Sequence, residues 1–330
     1  MAINLYNIKK WYKMLTGNSL MHVNQSIGEN FSKDCIKGYY NNLTEKVTKD
    51  KTILYTDELP LNEIEDGRKV FFPIQIFQYG LGAFDLYIQT NDEFYLTKFK
   101  LSVEWTIKNQ KNDGSWDNFS FVYPDAPYSA MAQGEGASLL YRAYITFNEK
   151  KYYDSAEKAI DFMLKPINEG GTAKIESHNL FLYEYTNQPL VLNGWIFAAF
   201  GLFDAYLLNH VKYKETWKNT IHSLIKYLPK FDNGYWSFYD MDKKLTSPFY
   251  HNLHIAQLQA LYEITGEIEF KKYALKWTTY SNKKMNSCRA FIKKAIQKIK
   301  ELPLVSSTSV LVLMVRPPMV WWTPAVTLMA

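Results

Sequence analysis

The amino-acid sequence predicts a mainly α-helical protein, an α/α toroid formed as an incomplete barrel of about four helical hairpins. Glycine and proline number only 15 and 12 among 330 residues, and this shortage of chain-breaking residues favours long helices. An apolar segment recurs along the chain, because Gly80, Gly134, Gly194 and His254 stand at steps of 54, 60 and 60 residues. A more polar helix follows each copy, so the repeating unit is a helical hairpin.

The first helix of each hairpin is apolar nearly all round, which predicts an inner position. These four inner segments are Gln78–Tyr87, Ala132–Tyr144, Leu192–Tyr206 and His254–Ile264. The second helix has a lysine-rich face and an apolar period of 3.6 residues, which predicts an outer position. These outer segments are Glu93–Asn109, Lys151–Leu164, Lys214–Leu228 and Glu267–Tyr280. Hairpins of this kind surround a central cavity.

Short β hairpins or loops are expected at the cavity mouth, where an outer helix leads to the next inner one. Two of these connections contain Asp-Gly (113–114) and Asn-Gly (233–234), which favour turns with positive φ. A tryptophan follows each turn, and we expect Trp116 and Trp236 to fold over the cavity mouth. In segment 134–136, Gly-Glu-Gly, no strand precedes the glycines, which indicates close helix packing rather than a phosphate loop.

Three regions follow from this pattern. We expect residues 1–70 to form a loop-rich cap with some helix, packed on the main domain. Residues 71–283 should form the α/α domain, and residues 284–330 should form a helix followed by an atypical apolar tail. Residues 1–17 lack the apolar core of a secretory signal, which predicts a cytoplasmic location, with the inner face of the membrane as a second placement. The tail 302–330 fits a single membrane span poorly, because prolines follow Arg316. The alternatives are a partly ordered tail, a reading-frame artefact and a membrane-associated segment.

Composition excludes several classes of protein. Apolar residues at 47% and charged residues at 22% exclude a disordered chain. Two cysteines, Cys35 and Cys288, are too few for a disulfide framework or a thiolate metal site. The net charge of +5 permits an anionic partner, but no basic-aromatic pattern or fold signature indicates nucleic acid.

Polar side chains gather at the starts of three predicted inner helices. The groups are segments 128–136 and 183–194, and segment 238–240 together with 249–254. A helix N-terminus beside each group favours an anion. Two of the amides, Gln133 and Asn193, either line the cavity or join neighbouring hairpins. The two histidines of the third group make a poor zinc site, so no metal is expected.

Four ordered segments carry a resemblance to a known family. They are FFPIQIFQYGL (71–81), PYSAMAQGEGASLLYRAY (127–144), YEYTNQPLVLNG (183–194) and YHNLHIAQLQAL (250–261). Together they closely resemble the C-terminal catalytic domain of D-glucuronyl C5-epimerases over roughly residues 70–283. Those enzymes convert glucuronate to iduronate within heparin- and heparosan-type polysaccharides. The resemblance implies a helical barrel-like domain and makes a homodimer plausible.

The resemblance also implies site residues. Three functional tyrosines of the family fall on Tyr185, Tyr239 and Tyr250, and Glu184 matches a glutamate proposed as acid/base. Animal members place an arginine three positions after the tyrosine of Tyr-Asp, where this chain has Asp242. The neighbouring Lys243 is the candidate to replace that positive charge.

The chemistry fits these residue types. Inversion at C5 removes a proton next to a carboxylate and returns one to the opposite face, which two opposed acid/base groups achieve. The developing anion needs donors or cations around the carboxylate. Our hypothesis assigns Tyr250 and Glu184 as the opposed pair, with Tyr185 and Tyr239 on the carboxylate. No redox cofactor or metal is required. Expected substrate contacts are His251, Gln133, Asn193, Lys243, Tyr128 and Trp236.

Three other functions stay open from sequence alone. A uronate lyase shares the proton abstraction but expels the C4 substituent and leaves a double bond. A glycoside hydrolase needs two carboxylates, for which Glu184 and Asp240 are the pair on offer. An inactive relative would bind glycans without proton exchange. In each case the expected partner is an anionic polysaccharide that contains uronate.

Overall fold

The computed structural model describes residues 19, 22–64 and 66–301. The expectations for residues 1–17 and for the tail 302–330 lie outside the described residues. Two short helices, α1 (Glu45–Thr48) and α2 (Lys51–Leu54), and the antiparallel pair β1 (Leu61–Glu63) and β2 (Lys69–Phe71) precede the hairpins. Leu61 pairs with Phe71 in that ladder.

Four helical hairpins follow. The inner helices are α3 (Pro73–Thr90), α5 (Ala130–Phe147), α7 (Leu192–Leu208) and α9 (Pro248–Thr265). The outer helices are α4 (Glu93–Asn109), α6 (Lys150–Leu164), α8 (His210–Tyr227) and α10 (Ile268–Asn282). Each inner helix packs on the next inner one and on its own outer helix. The predicted incomplete α/α toroid is confirmed.

The remaining elements join or extend the hairpins. The antiparallel strands β3 (Ala173–Glu176) and β4 (Asn179–Leu182) lie between α6 and α7, with Ala173 opposite Leu182. Two 3₁₀ turns span Ile167–Glu169 and Leu228–Phe231. A last helix, α11 (Lys284–Glu301), packs on α10. Within the described residues, no helix is long and apolar enough to cross a membrane.

Three of the four inner helices begin earlier than the apolar segments alone predict, and α7 begins at Leu192 as predicted. The α9 helix begins at Pro248, six residues before His254, because Ser247 caps it and proline suits its first turn. The side chain of Ser129 caps α5 in the same way. The first turn of α9 carries Tyr250 and His251, whereas Glu184, Tyr185 and Tyr239 lie in the connections that precede α7 and α9.

Helices α5 and α7 cross in close contact. A Cβ atom at Gly201 would lie 2.4 Å from the Cα of Gly134, and one at Gly134 would lie 2.7 Å from the Cα of Ala198. A Cβ at Gly136 would lie 2.7 Å from the ring of Trp116. The prediction that the glycines of segment 134–136 allow close packing is therefore confirmed.

The two turn tryptophans do not cover the cavity mouth, and that expectation is wrong. The predicted turns exist, since Gly114 and Gly234 have φ of 89° and 85°. However, Trp116 is fully buried and its indole N–H donates to the carbonyl of Thr106 at 2.9 Å. Trp236 is also buried, and its N–H donates to Thr246 O at 3.3 Å. A buried indole finds its partner inside the fold, so neither ring is open to a ligand.

A fully buried ion pair joins the cap to the inner helices. Arg142 of α5 donates to a carboxylate oxygen of Asp204 of α7 at 2.7 Å, and both side chains are completely buried. The hydroxyl of Tyr40 donates to the other Asp204 oxygen at 2.6 Å. The second guanidinium nitrogen of Arg142 donates to the carbonyl of Gly38 at 2.9 Å. Residues 38–40 of the cap are thus tied to two helices at once.

Removal of one partner of this pair tests its importance. We expect Asp204→Ala to lower the free energy of unfolding by about 3–5 kcal/mol, because it leaves a buried guanidinium without a counter-charge. The control is Asp154→Ala, which breaks the exposed pair with Lys150 and should change stability by less than about 1 kcal/mol. Urea denaturation measures both, and equal losses for the two variants would contradict the anchoring role.

Candidate active site

Glu184, Tyr185, Tyr239 and Tyr250 lie together, as the sequence motifs predict. The rings of Tyr239 and Tyr250 are 5.1 Å apart between centroids, in an edge-on arrangement. The charge of Glu184 acts on all three phenols. Tyr185 interacts with both Glu184 and Tyr239. Residues 66 positions apart in the chain therefore form one cluster of a carboxyl group and three phenols.

The first turns of three inner helices hold this cluster in place. The backbone N–H of Ala130, at the start of α5, donates to the carbonyl of Tyr183 at 2.8 Å. The N–H of Leu192, at the start of α7, donates to the carbonyl of Tyr239 at 3.1 Å. Tyr250 itself lies in the first turn of α9. The repeat places these helix starts at one end of the toroid, which brings the three motifs together.

Glu184 is buried against the start of α7. Its side chain is 6% exposed, and a Cβ at Gly194 would lie 2.4 Å from its Oε2 atom. Only glycine at position 194 therefore leaves room for the carboxyl group. Among the described residues, the buried Oε2 atom has no hydrogen-bond partner.

Burial sets the proton affinity of Glu184. Loss of water raises the pKa of its carboxyl group to about 7, and the interaction with Tyr185 works in the opposite direction. A carboxyl group with a pKa near 7 is present in both its protonated and its ionised form at neutral pH. It is therefore suited to both take and give a proton.

The three phenols have the opposite character. Burial, followed by the charge of Glu184, raises the pKa of Tyr185 and Tyr239 well above its usual value. The same two causes raise the pKa of Tyr250. Tyr185 also stacks on the ring of Phe119, with centroids 4.4 Å apart. At neutral pH the cluster thus presents three O–H donors around one carboxyl group.

The cap contributes a residue that sequence reasoning missed. The Nε2 atom of His22 lies 3.4 Å from the hydroxyl oxygen of Tyr250, and the two rings meet edge-on at 5.8 Å. The other ring nitrogen of His22 lies 3.0 Å from the hydroxyl of Ser19. His22 stands 228 positions before Tyr250, within a segment that carries no motif. No local signal in the sequence identifies it.

A second buried carboxyl group, Glu135 of α5, lies within electrostatic range of Glu184. The amide of Gln78 donates to one of its oxygens at 2.9 Å, and Lys46 interacts with it. Burial raises the pKa of Glu135 to about 8. Asn193 is buried nearby in the first turn of α7, and its side-chain oxygen has no partner among the described residues. Its role as a substrate contact stays a prediction.

Two other predicted substrate contacts have structural partners. Gln133 is fully buried, accepts from the N–H of Trp116 at 3.1 Å and donates to the carbonyl of Gly114 at 3.0 Å. It therefore joins hairpins, the second of the two roles expected for it. The ring of Tyr128 packs edge-on against Phe162 at 4.9 Å, and Lys111 donates to its hydroxyl at 3.3 Å.

His251 also serves the fold. Its two ring nitrogens contact Ser237 Oγ at 2.7 Å and the carbonyl of Trp277 at 3.1 Å. The ring stacks on Trp236, with centroids 3.7 Å apart. Neither His251 nor Trp236, both predicted as substrate contacts, therefore faces open space. Burial lowers the pKa of His251 to about 4, which leaves it uncharged at neutral pH. It has no part in the reaction proposed below.

Lys243 lies on the exposed side of its loop, with φ of 61°. Its backbone N–H donates to the carbonyl of Asp240, while its side chain lines a surface groove together with Arg289 and Lys293. Among the described residues, no group of three His, Cys, Asp or Glu side chains is arranged to hold a metal ion.

The burial of Glu184 predicts a dependence of stability on pH. Its pKa is about 7 in the folded protein against 4.5 ordinarily, so the folded state resists ionisation and loses stability as pH rises from 4.5 to 7. We expect Glu184→Gln to be more stable than the unmodified protein by up to about 3 kcal/mol at pH 8 and by about 1 kcal/mol at pH 5. Thermal unfolding at both values measures this.

The control for that comparison is Glu263→Gln, which changes an exposed carboxylate on α9. Its stability should follow that of the unmodified protein at both pH values. A Glu184→Gln variant that is less stable at pH 8 than at pH 5, relative to the unmodified protein, would show that the ionised carboxylate stabilises the fold.

Comparison with known proteins adds an independent finding. Residues 123–279 match the family model described as D-glucuronyl C5-epimerase C-terminus. A D-glucuronyl C5-epimerase from Caenorhabditis elegans is 29% identical over 213 residues, which cover 56% of this chain and 35% of that protein. An uncharacterized protein of Methanocaldococcus jannaschii is 32% identical over 155 residues, which cover 45% of this chain and 50% of that protein.

Among solved structures, an unsaturated glucuronyl hydrolase from Bacillus sp. GL1 is similar with a TM-score of 0.44 and 14% identity, over 63% of this chain and 61% of that one. This chain spans half or less of the length of the two curated relatives named above. The matched segment 123–279 includes Glu184 and all three tyrosines of the cluster. Over that segment, the chain is similar to the D-glucuronyl C5-epimerase family.

Proposed function

We propose that this protein inverts C5 of D-glucuronate residues to L-iduronate within a heparosan-like polysaccharide. The family relation supports a function of the glucuronyl C5-epimerase type. The observation that carries the proposal is the buried Glu184 carboxyl group, with a pKa of about 7, among three protonated phenols. This arrangement offers a base and an acid in one cluster, as inversion at a carbon next to a carboxylate requires.

In the first half of the proposed reaction, the ionised Glu184 takes the proton from C5. The C5–H bond breaks, and its electron pair moves into the adjacent carboxylate to give an enolate-like dianion. The unpartnered Oε2 atom is the oxygen that receives the proton. No electron leaves the substrate, so the step balances without a redox partner.

In the second half, the hydroxyl of Tyr250 gives its proton to C5 from the opposite face. A new C5–H bond forms from the electron pair of the intermediate, and Tyr250 becomes a phenolate. His22, 3.4 Å from that hydroxyl, is placed to donate to the phenolate oxygen. A protonated Glu184 and an ionised Tyr250 are also the starting state for the reverse reaction, from iduronate to glucuronate.

Tyr185 and Tyr239 stabilise the intermediate in this scheme. Both are neutral phenols that donate to the substrate carboxylate, where negative charge develops. Since Tyr185 interacts with Glu184 and with Tyr239, the two phenols also connect the base to the acid. That connection gives a route by which the proton on Glu184 returns to Tyr250 between turnovers.

Substitution of the proposed acid tests the assignment. We expect Tyr250→Phe to reduce formation of iduronate from heparosan by about 100-fold or more, because the phenyl ring has no proton to give. The reaction is followed in D₂O by NMR of C5, and ultraviolet absorbance reports any unsaturated uronate. The matched control is Tyr55→Phe, an exposed tyrosine of the cap, which should retain full activity.

Each outcome of that experiment decides between functions. Iduronate with deuterium at C5 and without a new double bond supports the epimerase. A rise in absorbance would instead identify a lyase, and glucuronate-specific cleavage without a double bond would identify a hydrolase. Near-normal inversion by Tyr250→Phe would overturn the role of Tyr250.

The pH dependence follows from the protonation states. The base must be ionised, so kcat/KM for glucuronate should rise with pH and level off above a midpoint of about 7, the pKa of Glu184. The phenols stay protonated over this range because their pKa values are raised. Initial rates between pH 5.5 and 9 measure this profile. A rate that falls from pH 6 to pH 8 would mean that Glu184 acts as the acid in this direction.

A further inference from the structure

A surface groove with a volume of about 730 Å³ lies between α11 and the loop 233–245. Three cationic side chains line it: Lys243 from the loop and Arg289 and Lys293 from α11. None of the described residues that line the groove is acidic. The groove is therefore a positively charged surface, separate from the cluster of Glu184 and the tyrosines.

Two carboxylates beside or within the loop, Asp232 and Asp240, are already paired. Asp232 forms an ion pair with Lys276 of α10 at 2.6 Å. Asp240 forms one with Lys244 at 3.4 Å and also accepts from the backbone N–H of Lys244. In the sequence of α11, basic residues outnumber acidic ones by six to one. Asp242, the exposed residue before Lys243, also lies in this loop, so the groove keeps an excess of positive charge rather than an unopposed one.

Two of the three cations contact the ring of Tyr235. The guanidinium of Arg289 lies 4.0 Å from the ring centre of Tyr235, and the ammonium of Lys293 lies 5.4 Å from it. Stacking on an aromatic face restrains an arginine and leaves its N–H groups directed outward in the ring plane. The side chain of Gln297 accepts from the backbone N–H of Leu245 at 3.2 Å, which fastens α11 to the loop.

The same loop carries the groove and the proposed active site. Phe238 and Lys243 line the groove, while Tyr239, the next residue after Phe238, belongs to the cluster with Tyr250. Helix α11 begins at Lys284, beyond the segment 123–279 that matches the family. The groove is therefore built partly from residues that the family resemblance does not include.

We propose that this groove is an exosite for the anionic polysaccharide, in which Arg289 binds a uronate carboxylate and Lys243 and Lys293 flank it. Guanidinium groups bind carboxylates through two parallel hydrogen bonds, which suits a chain that presents a carboxylate at regular intervals. The inference rests on the proposed function for the identity of the polymer. Its role is to retain a long chain while one of its residues occupies the cluster of tyrosines.

The test is direct binding of fluorescently labelled heparosan to the full chain, measured by polarisation. We expect the double variant Arg289→Ala/Lys293→Ala to bind a long heparosan chain about tenfold or more weakly than the unmodified protein. Lys293→Glu, a single change at an exposed position, should weaken binding as well while leaving the melting temperature unchanged. The control is Lys271→Ala/Lys272→Ala, two exposed lysines of α10, which should bind normally.

A second measurement separates the exosite from the active site. The double variant should lose much less kcat/KM on a heparosan tetrasaccharide than on a long chain, because a short substrate has few carboxylates left to bind outside the cluster. Four results would each overturn the exosite. The double variant could lose equally on short and long substrates, or the α10 control could lose as much binding as the groove variants. Binding could also be unchanged in both groove variants, or single-stranded RNA could compete better than heparosan. Binding is measured without turnover, so loss of heparosan binding in the groove variants supports the exosite whether or not the protein inverts C5. Absence of inversion would contradict the proposed function and would leave the exosite standing.

Discussion

The buried contact between Arg142 and Asp204 holds the positions of three parts of the molecule at once. The pair joins helices α5 and α7, which also cross closely at Gly134 and Gly201. Through Tyr40 and Gly38 it anchors the cap on the same two helices. A charge removed from water is stable only when its hydrogen-bonding groups are satisfied, so the cap cannot leave without exposing this pair. The same cap carries His22, which contacts Tyr250.

The cluster of Glu184 and the three tyrosines depends on a balance between burial and the start of a helix. The first turn of α7 favours a negative charge, but the loss of water around Glu184 is the larger effect and raises its pKa to about 7. Gly194 makes this position possible, because any side chain there would occupy the space of the carboxyl group. The protein thus keeps a group that opposes folding at neutral pH. Such local costs are common where a site requires an unusual proton affinity.

Much of the fold follows from the sequence, because the repeat of inner and outer helices is a property of the local apolar pattern. The motifs also predict that Glu184 and the three tyrosines lie close together, since each motif lies at or shortly before the start of an inner helix and the repeat brings those starts together. His22 could not be predicted, because its contact with Tyr250 depends on how the cap docks. The roles of Gln133, His251 and the turn tryptophans depend on partners elsewhere in the chain: the same residue types would suit a ligand site if those partners were absent. The coupling between Glu135 and Glu184 likewise becomes visible only when α5 and α7 are packed.

The central claim is that Glu184 and Tyr250 act on opposite faces of the sugar ring. A single turnover of heparosan in D₂O, with the protein in excess over uronate residues, tests it most directly. Both groups exchange their protons with the solvent before the reaction, so Tyr250 delivers deuterium. The account predicts that deuterium appears first at C5 of iduronate, while the remaining glucuronate still carries protium. Iduronate that retains the original protium, or deuterium that appears first in glucuronate, would contradict it.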